Sequence, residues 1–351
     1  MSNDQARLQQ LLSLDLAEPL LILAHENPDP DSLASAVALR HLLLETRGQN
    51  STVGYSGIVG RAENRAMVEL LGLPVVSLGH DEWRRFKSFA LIDAQPHTGN
   101  SILPSDVMPD IVIDHHPLRP ASTQARFHDI RQNIGASATL LTNYLREAGV
   151  EIPSRLATAL LYGIRSETQD LGRETFAADL DAYQYLFGIA DKETLAAISQ
   201  PPLTLSYFTQ LAAALDSVEV GQSVAVCTLG EVRVPDFVPE MADFIARMQH
   251  VQWALCSGAF GRRLYVSIRS NRRDADAGKL MQSVLDGVGT GGGHSMRAGG
   301  SAQFVDQEEL SRWRVLIRER FVRSVGAEKE SIRLLRGLEP ESIDATISGG
   351  T

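Results

Sequence analysis

The feature that most constrains this chain is a recurrence: short apolar runs that stop at residues able to bind a proton or a metal. Leu20–Ala24 ends at His25, Phe89–Ile92 at Asp93, and Ile111–Ile113 at Asp114-His115-His116. Apolar runs of three to five residues bounded by polar loops suit strands buried on both faces. Helical periodicity separates the runs. One helix is expected from Leu33 to Thr46, with Ser32 as its cap and Gly48 near its end. Two more are expected over Ser137–Ala148 and Ser154–Ser166. Strands alternating with helices predict an α/β fold, a parallel sheet with helices on both faces. In such sheets ligands bind beyond the carboxyl ends of the strands. The acidic residues and histidines fall at those ends.

From Ala177 to about Asp216 the pattern turns helical, with Pro201-Pro202 as a break. A second, smaller α/β pattern begins near Val218. It reads as a strand over Ser223–Leu229, a helix over Pro239–Met248, and a hairpin of Val251–Phe260 and Arg263–Arg269 around Gly261. A helix over Ala275–Leu285 follows, then a glycine-rich turn, Gly287–Gly300, and a strand, Ser301–Phe304. A long helix is expected from Gln307 to about Val325. The divisions expected are therefore 1–190, a helical linker over 191–217, a second domain over 218–326, and an extension over 327–351 read as a helix with a loose end.

Composition narrows the function classes. The chain of 351 residues carries a formal net charge of −10, which argues against a broad footprint on long duplex DNA. No apolar stretch approaches the roughly 18–20 residues that span a bilayer, so no membrane partner is expected. The first twenty residues include Asp4, Arg7, Asp15 and Glu18 and do not read as a signal peptide. The two cysteines, Cys227 and Cys256, fit no metal-binding pattern and suit buried reduced thiols, so the cytoplasm is the expected compartment.

Five segments carry candidate chemistry. In His25-Glu26-Asn27-Pro28-Asp29-Pro30-Asp31, an imidazole precedes carboxylates four and six positions on. Hard divalent cations take carboxylate oxygens, and Mn²⁺ accepts imidazole as well. The same pattern suits a solvated turn with a capping Asp. Asp93 alone could be a turn residue. Asp114-His115-His116 is rarer at a strand end: successive side chains diverge, so one His can meet a metal and the other a ligand. In Gly163-Ile164-Arg165-Ser166-Glu167-Thr168-Gln169-Asp170, Glu167 and Asp170 share a face if the helix continues, and either could complete a metal site. Finally Gly291-Gly292-Gly293-His294, with Arg297, Gly299 and Gly300, lets backbone approach a phosphate. Arginine forks suit phosphate too, and Arg269 at a strand end is the best placed of a nearby arginine run. The Gly287, Gly289, Gly292 spacing follows a helix rather than a strand, so it is no dinucleotide fingerprint.

Taken in order, these elements resemble the DHH phosphoesterase family over about residues 18–305. The resemblance rests on His25-x-x-x-Asp29-x-Asp31, Asp93, Asp114-His115-His116 and the segment around Glu167. The Gly291–His294 segment resembles the signature of the C-terminal DHH-associated domain. In size and layout the chain is similar to stand-alone bacterial nanoRNases, pAp phosphatases and dinucleotide phosphodiesterases. The resemblance implies a catalytic N-terminal domain with two Mn²⁺ per chain, or Mg²⁺ in their place. His25 and Asp29 would hold one ion; Asp31, His115 and the acidic residue of the fourth motif the other; Asp93 would bridge them. Asp114 would orient a histidine and His116 would meet the phosphate as catalytic residues. Gly292, Gly293, His294, Arg297 and Arg269 would bind the far end of the substrate.

The family pattern Gly-Ile-x-x-Asp-Thr has Glu167 here, which leaves Glu167 and Asp170 both open as ligand. The implied activity is hydrolysis of short di- or oligoribonucleotides such as pApA or pGpG, with pAp and cyclic dinucleotides as further candidates, by two-metal hydroxide attack. A homodimer is compatible with this layout. The alternative is a non-catalytic nucleotide-binding sensor that retains the fold, supported only by Glu167. Inorganic pyrophosphatases share the first domain but not the Gly-Gly-Gly-His segment.

Overall fold

The computed structural model describes residues 3–221, 223–293, 295–327 and 331–338. The chain divides into two compact units at Pro202/Leu203, inside the expected linker. The first unit contains α1 (Asn3–Leu12), β1 (Leu20–Leu23), α2 (Pro30–Arg47), β2 (Ser51–Tyr55), α3 (Ala62–Leu71), β3 (Val75–Ser77) and β4 (Ser88–Ile92). It continues through β5 (Ile111–Asp114), β6 (Phe127–Ile130), α4 (Ser137–Glu147), α5 (Ser154–Glu167), α6 (Ala177–Ile189) and α7 (Lys192–Ser199). Its six strands pair in the order β3-β2-β1-β4-β5-β6, every pair parallel. The order reverses between β1 and β4. In open α/β sheets that reversal opens a crevice outside the carboxyl ends of the strands.

Helices do not cover both faces, contrary to the expectation. Alternate strand residues point to opposite sides. Leu20, Ile22, Ala90, Ile92, Ile111 and Ile113 join the large core formed with α1, α2, α4 and α5. Leu21, Leu23, Phe89 and Leu91 instead pack under Leu78, Trp83, Phe86, Ile102, Leu103 and Val107. Those residues come from loops and a single 3₁₀ turn, Glu82–Arg85. The thin cover suffices because only short strands need burying there.

Asp29, not Ser32, caps α2. Its Oδ1 accepts the Ser32 N–H at 2.9 Å, with Pro30 at the first helical position, where its missing N–H costs nothing. Gly48 ends the helix in left-handed backbone, as its position predicts. The strands β2, β3 and β6 escape the sequence reading because each is short and carries polar residues.

The second unit contains α8 (Leu205–Asp216), β7 (Val218–Val220), β8 (Val224–Glu231), α9 (Phe237–Ile245), β9 (Trp253–Phe260), β10 (Arg263–Ser270) and α10 (Ala277–Leu285). β11 (Thr290–Gly293), β12 (Arg297–Gln303), α11 (Gln307–Ser324) and β13 (Arg333–Leu334) complete it. Its seven strands pair in the order β11-β12-β10-β9-β8-β7-β13, a mixed sheet in which only β8 and β9 run parallel. Two expectations fail. Gly287–Gly300 is not a turn: most of it forms β11 and the start of β12. Packing between α10 and β11 requires glycine at particular points: a Cβ on Gly291 would lie 2.6 Å from Met281 Cγ of α10, and one on Gly278 of α10 would lie 2.6 Å from the Gly293 carbonyl oxygen. The chain beyond α11 is not helical where it is described: Arg333–Leu334 adds to the edge of the sheet beside β7, and a 3₁₀ turn follows.

Candidate metal centre

The carboxyl ends of β1, β4 and β5 lie side by side, because β4 pairs with both neighbours. Adjacent strands stand about 4.8 Å apart, so residues just beyond these ends share one small space. His25 follows β1 by two positions, Asp93 follows β4 directly, and Asp114 is the last residue of β5. Asp93 has left-handed backbone, φ +56°, which Asp tolerates better than most residues.

Asp93 is the hub. Its Oδ2 lies 3.8 Å from His25 Nε2, while its Oδ1 lies 3.4 Å from His115 Nε2 and 3.7 Å from His116 Nδ1. His25 Nε2 also lies 3.5 Å from Asp29 Oδ2. Asp29 thus divides its oxygens, one capping α2 and one facing His25. Two groups of candidate ligands result, His25-Asp29-Asp93 and Asp93-Asp114-His115-His116, each with one ligand atom per residue within 4.8 Å of the others. Asp31 lies alongside, its Oδ2 4.0 Å from His115 Nε2.

The N-terminus of α4 supports this arrangement. The Ser137 and Ala138 N–H groups donate to Asp31 Oδ2 and Oδ1 at 2.8 and 2.7 Å, and Ser137 Oγ donates to Asp93 Oδ1 at 3.0 Å. Helix N-termini favour negative charge. The sequence reading missed Ser137. Its signal was present: a serine at the start of an expected helix, two residues after Gly135.

Glu167 and Asp170 separate cleanly. Gly163 sits against the start of α2, where a Cβ would lie 3.2 Å from Asp31 Cα and 3.3 Å from the Pro30 carbonyl oxygen. Glu167 is one turn further along the same face of α5, and its charge acts on Asp31 and His116. Asp170 is not a candidate ligand. α5 ends at Glu167, the Asp170 backbone is left-handed, and its side chain is 71 % exposed and bonded to Arg165 Nε at 2.6 Å. The helix that would have aligned the two residues stops too soon.

Asp114 Oδ1 is taken up by hydrogen bonds to its own neighbours in the chain. Its Oδ1 accepts the His115 and His116 N–H groups and lies 2.8 Å from His116 Nδ1. That commits Nδ1 of His116 to Asp114.

The electrostatics identify what the site wants. Burial, together with the charges of Asp93, Asp29 and Glu167, holds Asp31 well above the usual carboxylate range. Burial and the nearby carboxylates push Asp93 up to about 8, against the pull of His116 and His25. Burial alone would lower His25, but Asp29 and Asp93 raise it to about 10. Burial likewise opposes His116, and Asp114, Asp93 and Glu167 raise it to about 10. Burial would raise Asp114, yet its bond and charge pairing with His116 bring it down to about 2. Burial first, and neighbouring negative charge second, raises the two acids, while that same negative charge raises the histidines against burial. Five carboxylates and three imidazoles converging in a buried crevice form a donor set that fits divalent cations of the Mn²⁺ or Mg²⁺ kind.

The second unit holds the anion-type candidates. His294 lies outside the described residues. Gly292 pairs with Gly299, and Gly299 with Ser267, across β11, β12 and β10. Among the described residues, nothing beyond the chain neighbours lies within 4 Å of a Cβ placed on Gly292 or Gly299, so that strip of sheet is open there. The expected loop of free N–H groups is replaced by an edge strand, because β12 is bonded on both sides. Gly293 packs inward against Ala298. Arg269 and Arg297 are register partners that flank the strip. Neither is an unopposed cation: Arg269 Nε bonds to Asp243, and Arg297 Nη2 lies 3.8 Å from the same carboxylate.

Comparison with known proteins gives a consistent picture. The DHH family, N-terminal domain, matches residues 19–164. The chain is 33% identical over 320 residues to the uncharacterized protein MJ1633 of Methanocaldococcus jannaschii, covering 89% of this chain and 65% of that one. It is 24% identical over 147 residues to a probable manganese-dependent inorganic pyrophosphatase of Staphylococcus saprophyticus, covering 42% and 47%. The chain therefore spans less than two thirds of the length of either relative. Among solved structures, an exopolyphosphatase-related protein from Bacteroides fragilis superposes with a TM-score of 0.68 at 14% identity, covering 90% of this chain and 96% of that one. The last match shows the shared fold. No helix among the described residues is long and apolar enough to cross a membrane.

Proposed function

Because residues 19–164 belong to the DHH family as its N-terminal domain, we propose that this chain is a divalent-metal-dependent phosphoesterase acting on short nucleotide substrates. One observation carries the reading: the single carboxylate of Asp93 faces His25 with one oxygen and His115 with the other. A carboxylate shared by two donor groups is what a two-ion centre requires. His25 and Asp29 would hold one ion, and Asp31, His115 and Glu167 the other, with Asp93 between. Mn²⁺ is the preferred ion, since imidazole contributes to both sets and a manganese-dependent pyrophosphatase is among the relatives.

Bound ions of this kind supply a hydroxide at neutral pH and polarise phosphoryl oxygens. The chain's own residues do the rest. His116, with Nδ1 held by Asp114 and its side chain 37% exposed, presents Nε2 to a phosphoryl oxygen or to the leaving oxygen. A cationic imidazole there stabilises charge as it develops and can give up its proton to the departing group. Asp114 fixes the ring and favours the imidazolium. The buried walls around Asp31 and Asp93 limit water and strengthen every charge interaction inside.

Short substrates such as pApA, pGpG or pAp, and cyclic dinucleotides, fit a site with no broad basic surface. The open glycine strip and the two flanking arginines of the second unit supply a second anion-type surface. The cytoplasm is the proposed compartment.

The test is a substrate panel with the purified, Mn²⁺-loaded chain: pApA, pGpG, pAp, cyclic dinucleotides and inorganic pyrophosphate. Turnover of at least one nucleotide is expected. Cleavage of none of them would refute the assignment, and hydrolysis of pyrophosphate alone would move it to that chemistry. Metal analysis should find about two manganese ions per chain; none after loading would favour the non-catalytic sensor.

A further inference from the structure

Gln95 is buried, 3% exposed, two residues beyond Asp93. Its side-chain amide makes four hydrogen bonds. Nε2 donates to Asp114 Oδ2 at 2.6 Å and to the Pro117 carbonyl at 3.1 Å. Oε1 accepts the Arg119 N–H at 2.7 Å and the Ser122 hydroxyl at 2.9 Å. Both hydrogens of the amide meet acceptors and both lone pairs of its oxygen meet donors, which is the full capacity of a glutamine. A flipped amide would set oxygen against oxygen at Asp114 and N–H against N–H at Arg119, so the orientation is fixed by the partners. The residue therefore ties three pieces of chain together: the segment after β4, the Asp114 carboxylate, and the 117–122 loop that follows the two histidines.

We propose that Gln95 is a positioning residue for His116, acting through Asp114. Asp114 has two oxygens and two tasks. Oδ1 holds the His115 and His116 backbone and the His116 ring. Oδ2 is held by Gln95. Without that second bond the carboxylate can rotate about its side-chain torsion and take its grip on His116 with it. The bond also supplies a donor to an anion that is 1% exposed, and a buried carboxylate oxygen without a donor is costly. Glutamate would still accept from Arg119 and Ser122, but while ionised it could offer no hydrogen to Asp114 or to the Pro117 carbonyl. Gln95 is thus required for its donor rather than for its shape. The inference rests on the reading of His116 as the group that meets the substrate.

Three variants test it. Gln95→Glu keeps the shape and the two accepted bonds but sets one carboxylate against another. Gln95→Met is close in size and uncharged, and covers the case in which the glutamate variant does not fold. The double variant Gln95→Glu/Asp114→Asn reverses the bond: the new amide at 114 donates to the new carboxylate at 95, and its oxygen still faces His116. For each, kcat and KM are measured on the substrate that the wild type turns over, and Mn²⁺ affinity is measured by titration without substrate. Both single substitutions at Gln95 should lower kcat ten- to a hundredfold with KM within threefold. Mn²⁺ affinity should fall about threefold or more, because Asp114 also anchors the His115 backbone. The double variant should recover at least twofold in Mn²⁺ affinity over Gln95→Glu, the readout that does not depend on the charge Asp114 gives His116.

Values of kcat and Mn²⁺ affinity within twofold of wild type in Gln95→Glu and Gln95→Met would overturn the proposal. So would a double variant whose Mn²⁺ affinity is no better than that of Gln95→Glu, since a purely structural loss is not relieved by reversing one hydrogen bond. If the wild type cleaves nothing, the phosphoesterase reading fails by itself. The Mn²⁺ series then still decides whether Gln95 positions the histidine segment.

Discussion

Removing metal should make the first unit less stable as pH rises, the opposite of what an ordinary acidic protein does on leaving acid. Asp93 is the clearest contributor. Its acidity moves from an ordinary 3.8 to about 8 in the fold. A carboxyl raised in this way costs nothing below 3.8, where both states hold the proton. The cost grows as pH climbs, because the unfolded chain ionises freely and the folded one does not, and it is complete above 8. One pH unit of such a gap is worth about 1.4 kcal/mol. Between pH 5.5 and 8.5 Asp93 alone therefore withdraws about 3 kcal/mol.

His25 and His116 act in the same direction. Both are raised to about 10, so their stabilisation is complete below 6.5 and is lost as pH rises toward 10. Asp29 and Asp114 are shifted downward and are ionised in both states throughout this window, so they add no slope. Asp31, held well above the usual carboxylate range, acts the same way; the four raised groups share one field, and a proton lost from one strengthens the hold of the others in turn, so their contributions do not add. Taking about 3 kcal/mol for a unit of 202 residues, the melting temperature should fall by roughly 6–12 °C. The assay is thermal unfolding by circular dichroism after EDTA dialysis, at pH 5.5, 7 and 8.5. With Mn²⁺ present the slope should reverse, because the ion binds the deprotonated ligands and releases their protons. A metal-free melting temperature that is flat or rises across the window would refute the electrostatic account of the site.

Four further outcomes follow from the geometry. Asp93→Ala should abolish turnover, by at least a thousandfold, while melting no lower than wild type in EDTA; near-normal activity would contradict the bridging role. Ser137→Ala removes the hydroxyl donor to Asp93 and should weaken Mn²⁺ binding about tenfold by titration, in line with the loss of other groups that orient ligands. Glu167→Gln should lower Mn²⁺ affinity and activity by tenfold or more, whereas Asp170→Asn should leave both within twofold; the reverse ranking would reinstate Asp170 as ligand. Gly163→Ala places a methyl 3.2 Å from the Asp31 backbone and should cost about 1–3 kcal/mol in denaturant unfolding, with weaker metal binding as the start of α2 is pushed away.

Much of the site was legible in the chain because its parts are local. A strand that ends at Asp93 and another that ends at Asp114-His115-His116 can be read from a few neighbouring residues, since apolar runs and their polar stops are set by burial and hydrogen bonding within each segment. The same holds for the α/β class and for α2, where Gly48 marks the end. Local reading failed where a neighbour far along the chain decides. Glycine density at 287–300 looked like a turn, yet the segment is mostly strand, and Gly291 is glycine because Met281 of α10 packs against it. The second face of the first sheet looked as though it needed helices, yet short strands let loops around Trp83 and Leu103 cover it.

The sequence by itself determined which residue types stand at which strand ends, and hence the kind of chemistry on offer: carboxylates and imidazoles for a hard cation. Tertiary structure alone decided how they are shared. Asp93 faces both donor groups because β4 lies between β1 and β5, an order no local pattern encodes. Glu167 stands on the face of α5 that Gly163 brings against α2, while Asp170 lies beyond the end of the helix and is bonded to Arg165. Gln95 and Ser137 reach their partners only through side-chain bonds across 19 and 44 positions of chain. Periodicity records which face of an element is buried; it carries no information about which distant element arrives to bury it.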